Sequence, residues 1–140
     1  MSLDIALVTY LAGHAALVPL IGDRIYPLLA PTQAVMPYLL YAEIHDESTQ
    51  HLLGAGELAM ATYQWDVYGR THRSAREVAK AFKLLMNGYR GVSAGVAIRR
   101  VLVRGMDTGL EDDQAGGQQM AYRVTLETDV WYMQPVTTFV

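Results

Sequence analysis

The chain of 140 residues contains no cysteine, which excludes a disulfide framework and any thiolate metal site. It also lacks an uninterrupted apolar run of the roughly 18 to 20 residues that a membrane helix needs. Half of the residues are hydrophobic and only 18% are charged, so a soluble protein with a full core and no membrane contact is expected. The apolar first twenty residues have no basic segment before them, carry Asp4 and end in no convincing small-residue cleavage site. They therefore do not read as an export signal, and assembly in the cytoplasm is expected. Internal repeats and low-complexity stretches are absent as well. A chain of this length fits one domain, since domains typically hold about 100 to 200 residues. The expected organisation is a single domain over 1–140, with a flexible loop at 107–119 and a short C-terminal tail at 134–140.

Acidic and basic residues are unevenly distributed. Nine of the eleven basic residues fall between Arg70 and Arg104, where Glu77 is the only acid, giving that stretch +8. Two bases and thirteen acids are left elsewhere, giving −11. Such asymmetry favours docking between copies or onto a charged partner, without naming it.

Periodicity supplies the elements. Leu3, Leu7, Tyr10, Leu11 and His14 recur at helical spacing, with Ser2 as a cap, and predict a helix to about Leu17, where Pro19 and Gly22 stop it. Ile5, Val8, Ala12, Ala15 and Ala16 make its other side apolar too, the pattern of a helix buried on more than one side. A turn at Gly22-Asp23 leads to a short extended piece, Arg24 to Pro27. Tyr38 to Glu47 and Glu57 to Tyr68 then read as two strands of a hairpin. Ser74 to Glu77 matches a capping box, and Ala75, Val78, Ala79, Phe82, Leu85, Met86 and Tyr89 follow at helical spacing. Val96 to Gly105 reads as a strand, 107–119 as an aperiodic loop, and Met120 to Met133 as a long strand. In the last of these, Tyr122, Val124, Leu126, Val130 and Tyr132 alternate with Arg123, Thr125, Glu127 and Asp129. The expected fold class is α+β, an antiparallel sheet with two helices packed on one face.

Taken in order, these pieces resemble the phage tail-completion family. The residues that carry the resemblance are the apolar first helix leading to Gly22-Asp23-Arg24-Ile25-Tyr26-Pro27, the strand opening Met36-Pro37-Tyr38-Leu39-Leu40-Tyr41, and Tyr63-Gln64-Trp65-Asp66-Val67-Tyr68-Gly69 running into the Ser74 to Glu77 helix start. The strand from Tyr122 to Tyr132 closes the match. The resemblance implies a non-enzymatic subunit of a homo-oligomeric ring, usually hexameric, in the virion tail. Such a ring caps the tail tube and joins it to the head, with the tail-tube protein and the head connector as partners and DNA passing through its lumen. On the residues alone, another oligomeric binding domain and a small α+β enzyme remain open.

No complete catalytic, cofactor or metal constellation stands out. His45, Asp46, Glu47 and His51 could ligate a divalent ion, but their spacing fits no closed zinc motif. Glu111, Asp112 and Asp113 fit no EF-hand pattern. His72 near Ser74 and His14 near Thr9 are the only local acid-base pairings, and no nucleophile elbow or phosphate loop surrounds them. Tyr63, Trp65 and Tyr68 could stack bases, but aromatics alternating along a strand are more often core. The strongest candidate is a basic stripe. Arg73, Arg76, Lys80 and Lys83 fall within roughly 80° on a helical wheel and are expected at a subunit or head-tail contact. Leu3, Ile5, Val8 and Ala12 of the first helix are expected to supply the apolar part of that interface.

Overall fold

The computed structural model describes residues 2–48, 58–112 and 120–133. The elements are α1 (Leu3–Ala12), α2 (Val18–Ile21), β1 (Ile25–Pro27), β2 (Tyr38–Ser48), β3 (Leu58–Gly69), α3 (His72–Met86), β4 (Gly91–Ser93), β5 (Val96–Asp112) and β6 (Met120–Met133). Among the described residues the strands form one sheet in the order β1-β2-β3-β6-β5-β4. The chain is thus of mixed helix and sheet, and the sheet is mostly antiparallel. β1 departs from the expected pattern by running parallel to β2, because the 28–37 connection carries the chain back to the level at which β1 began. Two backbone bonds fix that register: Leu39 N donates to Arg24 O at 3.0 Å and Leu28 N donates to Tyr41 O at 2.9 Å.

Three boundaries differ from the sequence expectation, each for a local reason. α1 ends at Ala12 rather than near Leu17, with Gly13 as its C-cap, and Ser2 occupies the N-cap without a side-chain bond. Pro19 sits in the first turn of the separate helix α2, where a missing N–H costs nothing because first-turn donors have no helical partner. At α3 the cap is Thr71, whose hydroxyl accepts from Ser74 N at 3.0 Å. Ser74 is therefore inside the first turn, and Glu77 turns to Arg73 at 3.3 Å instead of closing a capping box. β5 continues through 107–112, which the aperiodic sequence assigns to the loop. Gly105, at φ 68°, sits where the pairing with β6 shifts between Arg104 and Asp107. A glycine bulge absorbs the extra residue and lets the ladder resume as far as Asp112 opposite Met120. The remainder of that loop, 113–119, and the tail 134–140 lie outside the described residues.

The core follows the alternation of β3 and β6. Ala61, Tyr63, Trp65 and Val67 are buried, as are Val124, Leu126, Thr128 and Val130 on the neighbouring strand. Leu7 and Leu11 of α1 join Ala75, Val78, Phe82 and Met86 of α3 in the same apolar cluster. Trp65 is central. Its ring centroid lies 5.0 Å from that of Phe82, and its Nε1 donates to Thr128 Oγ1 at 2.9 Å, which satisfies the one polar atom that burial would otherwise strand. A smaller cluster of Ala30, Met36, Tyr38, Leu40, Tyr68 and Ala121 packs beneath the 28–37 connection. The aromatics Tyr63, Trp65 and Tyr68 thus belong to the interior and are not available as a stacking platform.

Candidate interaction surfaces

α3 is sharply two-sided. Ala75, Val78, Ala79, Phe82 and Met86 are buried, whereas Arg73, Arg76, Lys80 and Lys83 are all exposed on the opposite side. His72, Leu84 and Asn87 border this basic surface, and Glu77 lies within it. Leu84 is 75% exposed, so the basic surface includes an apolar point. Both ends of the helix are fixed: Thr71 caps the first turn, and at the other end Asn87 Oδ1 accepts from Val103 N at 3.1 Å while Gly88 N donates to Val101 O at 2.8 Å. The stripe is therefore carried on a rigid support. Arg73 and Glu77 form a pair with side chains 90% and 54% exposed, which is worth about 0 to 1 kcal/mol. Lys80 and Lys83 have no carboxylate partner among the described residues.

Part of the basic segment is engaged elsewhere in the subunit. Arg104 Nε lies 2.8 Å from Asp129 Oδ2 and its Nη2 lies 3.1 Å from Glu127 Oε2. Thr62 Oγ1 donates to Asp129 Oδ1 at 2.7 Å, and Thr125 Oγ1 donates to Asp66 Oδ1 at 2.6 Å. Thr62 is opposite Asp129, and Asp66 opposite Thr125, across β3 and β6. These are cross-strand pairs of the kind that fix sheet register. Arg100 lies over the Trp131 ring at 5.5 Å.

The apolar residues of α1 divide. Leu3, at 8% exposure, is part of the core, so the structure removes it from the outer surface. Val8 and Ala12 are half-buried and pack against the same core, while Ile5 is 57% exposed. Sequence periodicity gave no sign of a second apolar surface, the connection after β1, where Leu28, Leu29 and Val35 are all exposed. Leu28 adopts φ 64°, which for a branched side chain costs roughly 1 to 2 kcal/mol. Strand alternation has no counterpart in such a turn and could not have found it.

The metal and catalytic candidates are described only in part. His45 is exposed in β2, the side chains of Asp46, Glu47, Glu111 and Asp112 are not described, and His51 and Asp113 lie outside the described residues. Among the described residues no group of three or more metal-ligating side chains forms. His14 Nδ1 accepts from Ala16 N at 3.2 Å, a local turn bond, and His72 meets the Tyr122 ring edge-on at 6.0 Å. Among the described residues no helix is long and apolar enough to cross a membrane.

Three phenols give the subunit an alkaline limit. Burial, and then the neighbouring Tyr89, raise the Tyr10 pKa above its ordinary 10.0. Burial followed by Asp4, whose Oδ2 accepts from the Tyr41 hydroxyl at 3.3 Å, raises Tyr41, and burial raises Tyr89. Tyr10 stacks on Tyr89 at 3.7 Å and donates to Leu85 O at 2.9 Å, tying α1 to the end of α3. A folded-state pKa above the unfolded value means that the folded state holds the proton more tightly. The resulting stabilisation is complete below pH 10 and is lost as pH rises through the raised values. Denaturant unfolding followed from pH 7 to 11 should show a loss of stability above pH 10, shallower in a Tyr10→Phe, Tyr41→Phe variant. An identical fall in the two proteins would contradict this assignment.

A family model described as "Tail completion protein gp17" matches residues 5–133. Among solved structures, a chain of the "Virion of native gene transfer agent (GTA) particle" superposes with a TM-score of 0.71 at 16% sequence identity, over 94% of this chain and 95% of that one. At that identity the likeness is one of fold. No curated protein sequence matches the chain.

Proposed function

We propose, because this chain belongs to the tail completion protein gp17 family and is a structural protein of the virion tail, that copies of it close into a ring, six in number, that terminates the tail tube and joins it to the head. The family match over nearly the whole chain carries this reading. In it both longer helices cover one face of the sheet, the tail-tube protein and the head connector are the partners, and DNA passes through the lumen with only passive contact. Assembly takes place in the host cytoplasm.

The subunit has features suited to such a ring. Head-to-tail closure uses two different surfaces of each copy, and complementary charge on them favours the correct neighbour over face-to-face pairing. The α3 stripe of Arg73, Arg76, Lys80 and Lys83 supplies the positive surface. On the apolar side the contact rests on Ile5, with Val8 and Ala12 at its margin, since Leu3 faces inward. Strong phosphate binding in the lumen would hinder DNA movement, so the stripe is assigned to a protein contact.

The test adds purified protein to tails that lack it and counts joined particles by electron microscopy. Wild-type protein should cap the tube and restore joining, and tails that remain uncapped and unjoined would overturn the reading. Reversing one stripe charge should change little, because a single exposed pair is worth about 0 to 1 kcal/mol. Reversing all four should abolish most joining and leave the melting temperature unchanged. Joining should also weaken with salt, as the Debye length falls from about 10 Å at 0.1 M to about 3 Å at 1 M.

A further inference from the structure

We infer that the occupant of the α3 basic surface is the acidic β5–β6 hairpin of a second copy of this chain; the inference rests on the ring reading above and names the contact within it. It begins with where the carboxylates are. Glu77 pairs with Arg73, Glu127 and Asp129 pair with Arg104, Asp66 accepts from Gln64 and Thr125, and Asp4 accepts from Tyr41. Each is therefore engaged inside its own subunit. In the sequence the densest acidic set is Asp107, Glu111, Asp112 and Asp113, with no lysine or arginine between Arg104 and Arg123.

Topology places that hairpin where a neighbour can reach it. β3 pairs with β6 only as far as Gly69 opposite Tyr122, while β5 and β6 continue pairing to Asp112 opposite Met120. On its other side β5 has β4 beside Val96 to Ile98 only, and the end of α3 bonds Val101 and Val103. From Arg104 to Asp112 its outer edge has no partner strand among the described residues. A long open edge invites indiscriminate strand pairing, and the negative charge of this segment of the sequence repels an identical edge. The same charge makes it complementary to one surface of this chain, the stripe of Arg73, Arg76, Lys80 and Lys83, whose two lysines lack a carboxylate among the described residues.

Four proteins are compared on tails lacking the subunit: wild type; the stripe reversal Arg73→Glu, Arg76→Glu, Lys80→Glu, Lys83→Glu; the hairpin reversal Asp107→Lys, Glu111→Lys, Asp112→Lys; and the two combined. Each reversal alone should lower joining about tenfold or more, and the combination, which restores opposite signs, should recover most of it. If the hairpin reversal joins as well as wild type, or the combination joins no better than the stripe reversal, the hairpin is not the occupant. A loss on stripe reversal alone would still uphold the ring reading and direct attention to the β2–β3 hairpin or the connector. Failure of wild type to cap tails would sink the ring reading itself. A second measurement does not depend on the reversed variants folding. Because the chain has no cysteine, a Lys83→Cys, Asp107→Cys protein on tails should be linked copy to copy by a short bis-maleimide. Monomer alone after that treatment overturns the proposal.

Discussion

Phe82→Ala should destabilise the subunit by about 3 to 5 kcal/mol, the largest effect expected of a single truncation on α3. Phe82 is fully buried and its ring lies against Trp65, so removing it loses both the transfer of the ring from water and the contacts that lined it. The void opens between a helix held at both ends and a sheet ladder, neither of which can collapse into it at little cost. Small domains are stable by about 5 to 15 kcal/mol in total, so the loss takes a large share. For a chain of this size it corresponds to a melting temperature lower by roughly 10 to 17 °C. Phe82→Leu should cost less than half as much. Calorimetry of the three proteins decides the matter, and equal destabilisation by leucine and alanine would show that the ring geometry, rather than the volume, is what the core requires. Residual joining should follow the folded fraction, because Phe82 does not reach the surface.

Gly69→Ala should cost about 1 to 3 kcal/mol, or roughly 3 to 10 °C, from adding a single methyl group. A Cβ on Gly69 would lie 2.8 Å from Ala75 N and 3.1 Å from its Cα. That nitrogen makes the first bonded turn of α3 with Thr71 O at 3.1 Å, so the added atom meets backbone that cannot rotate aside. Either β3 loses its last pairing with Tyr122 or the helix start shifts and carries the basic stripe with it. The two outcomes differ in function. A shift of α3 lowers joining beyond what the melting temperature accounts for, whereas a frayed strand end does not. A variant as stable as wild type would show that β3 and α3 approach less closely than the 2.8 Å contact implies.

Periodicity made the long elements legible. β6 alternates so regularly that Val124, Leu126 and Val130 can be read as buried and Arg123, Thr125, Glu127 and Asp129 as less buried, and α3 shows a clean apolar stripe because a helix packed on one side must. The basic stripe was readable for the same reason, since a helix with one side in the core displays the other. Short and irregular pieces were not readable. α2 and β4 each span little more than one period of their pattern, the Thr71 cap was hidden by a better-looking motif three residues on, and Gly105 ended an apparent strand that the bulge in fact continues.

By itself the sequence determined which of the longer segments are helix or strand, that α3 presents its charges outward, and that positive and negative charge lie in different parts of the chain, because these depend on neighbours within a turn or two. The tertiary structure alone decided that β1 lies parallel to β2, that Leu3 is turned into the core while Ile5 is left outside, and that Arg104 is paired at home whereas Lys80 and Lys83 have no carboxylate partner among the described residues. Each of those outcomes depends on a contact between residues distant in the chain: Leu39 with Arg24 across a loop, α1 against the core, Arg104 with Asp129 across two strands. Local pattern carries no information about which distant surface will arrive, and only packing settles which charge is left to bind something else.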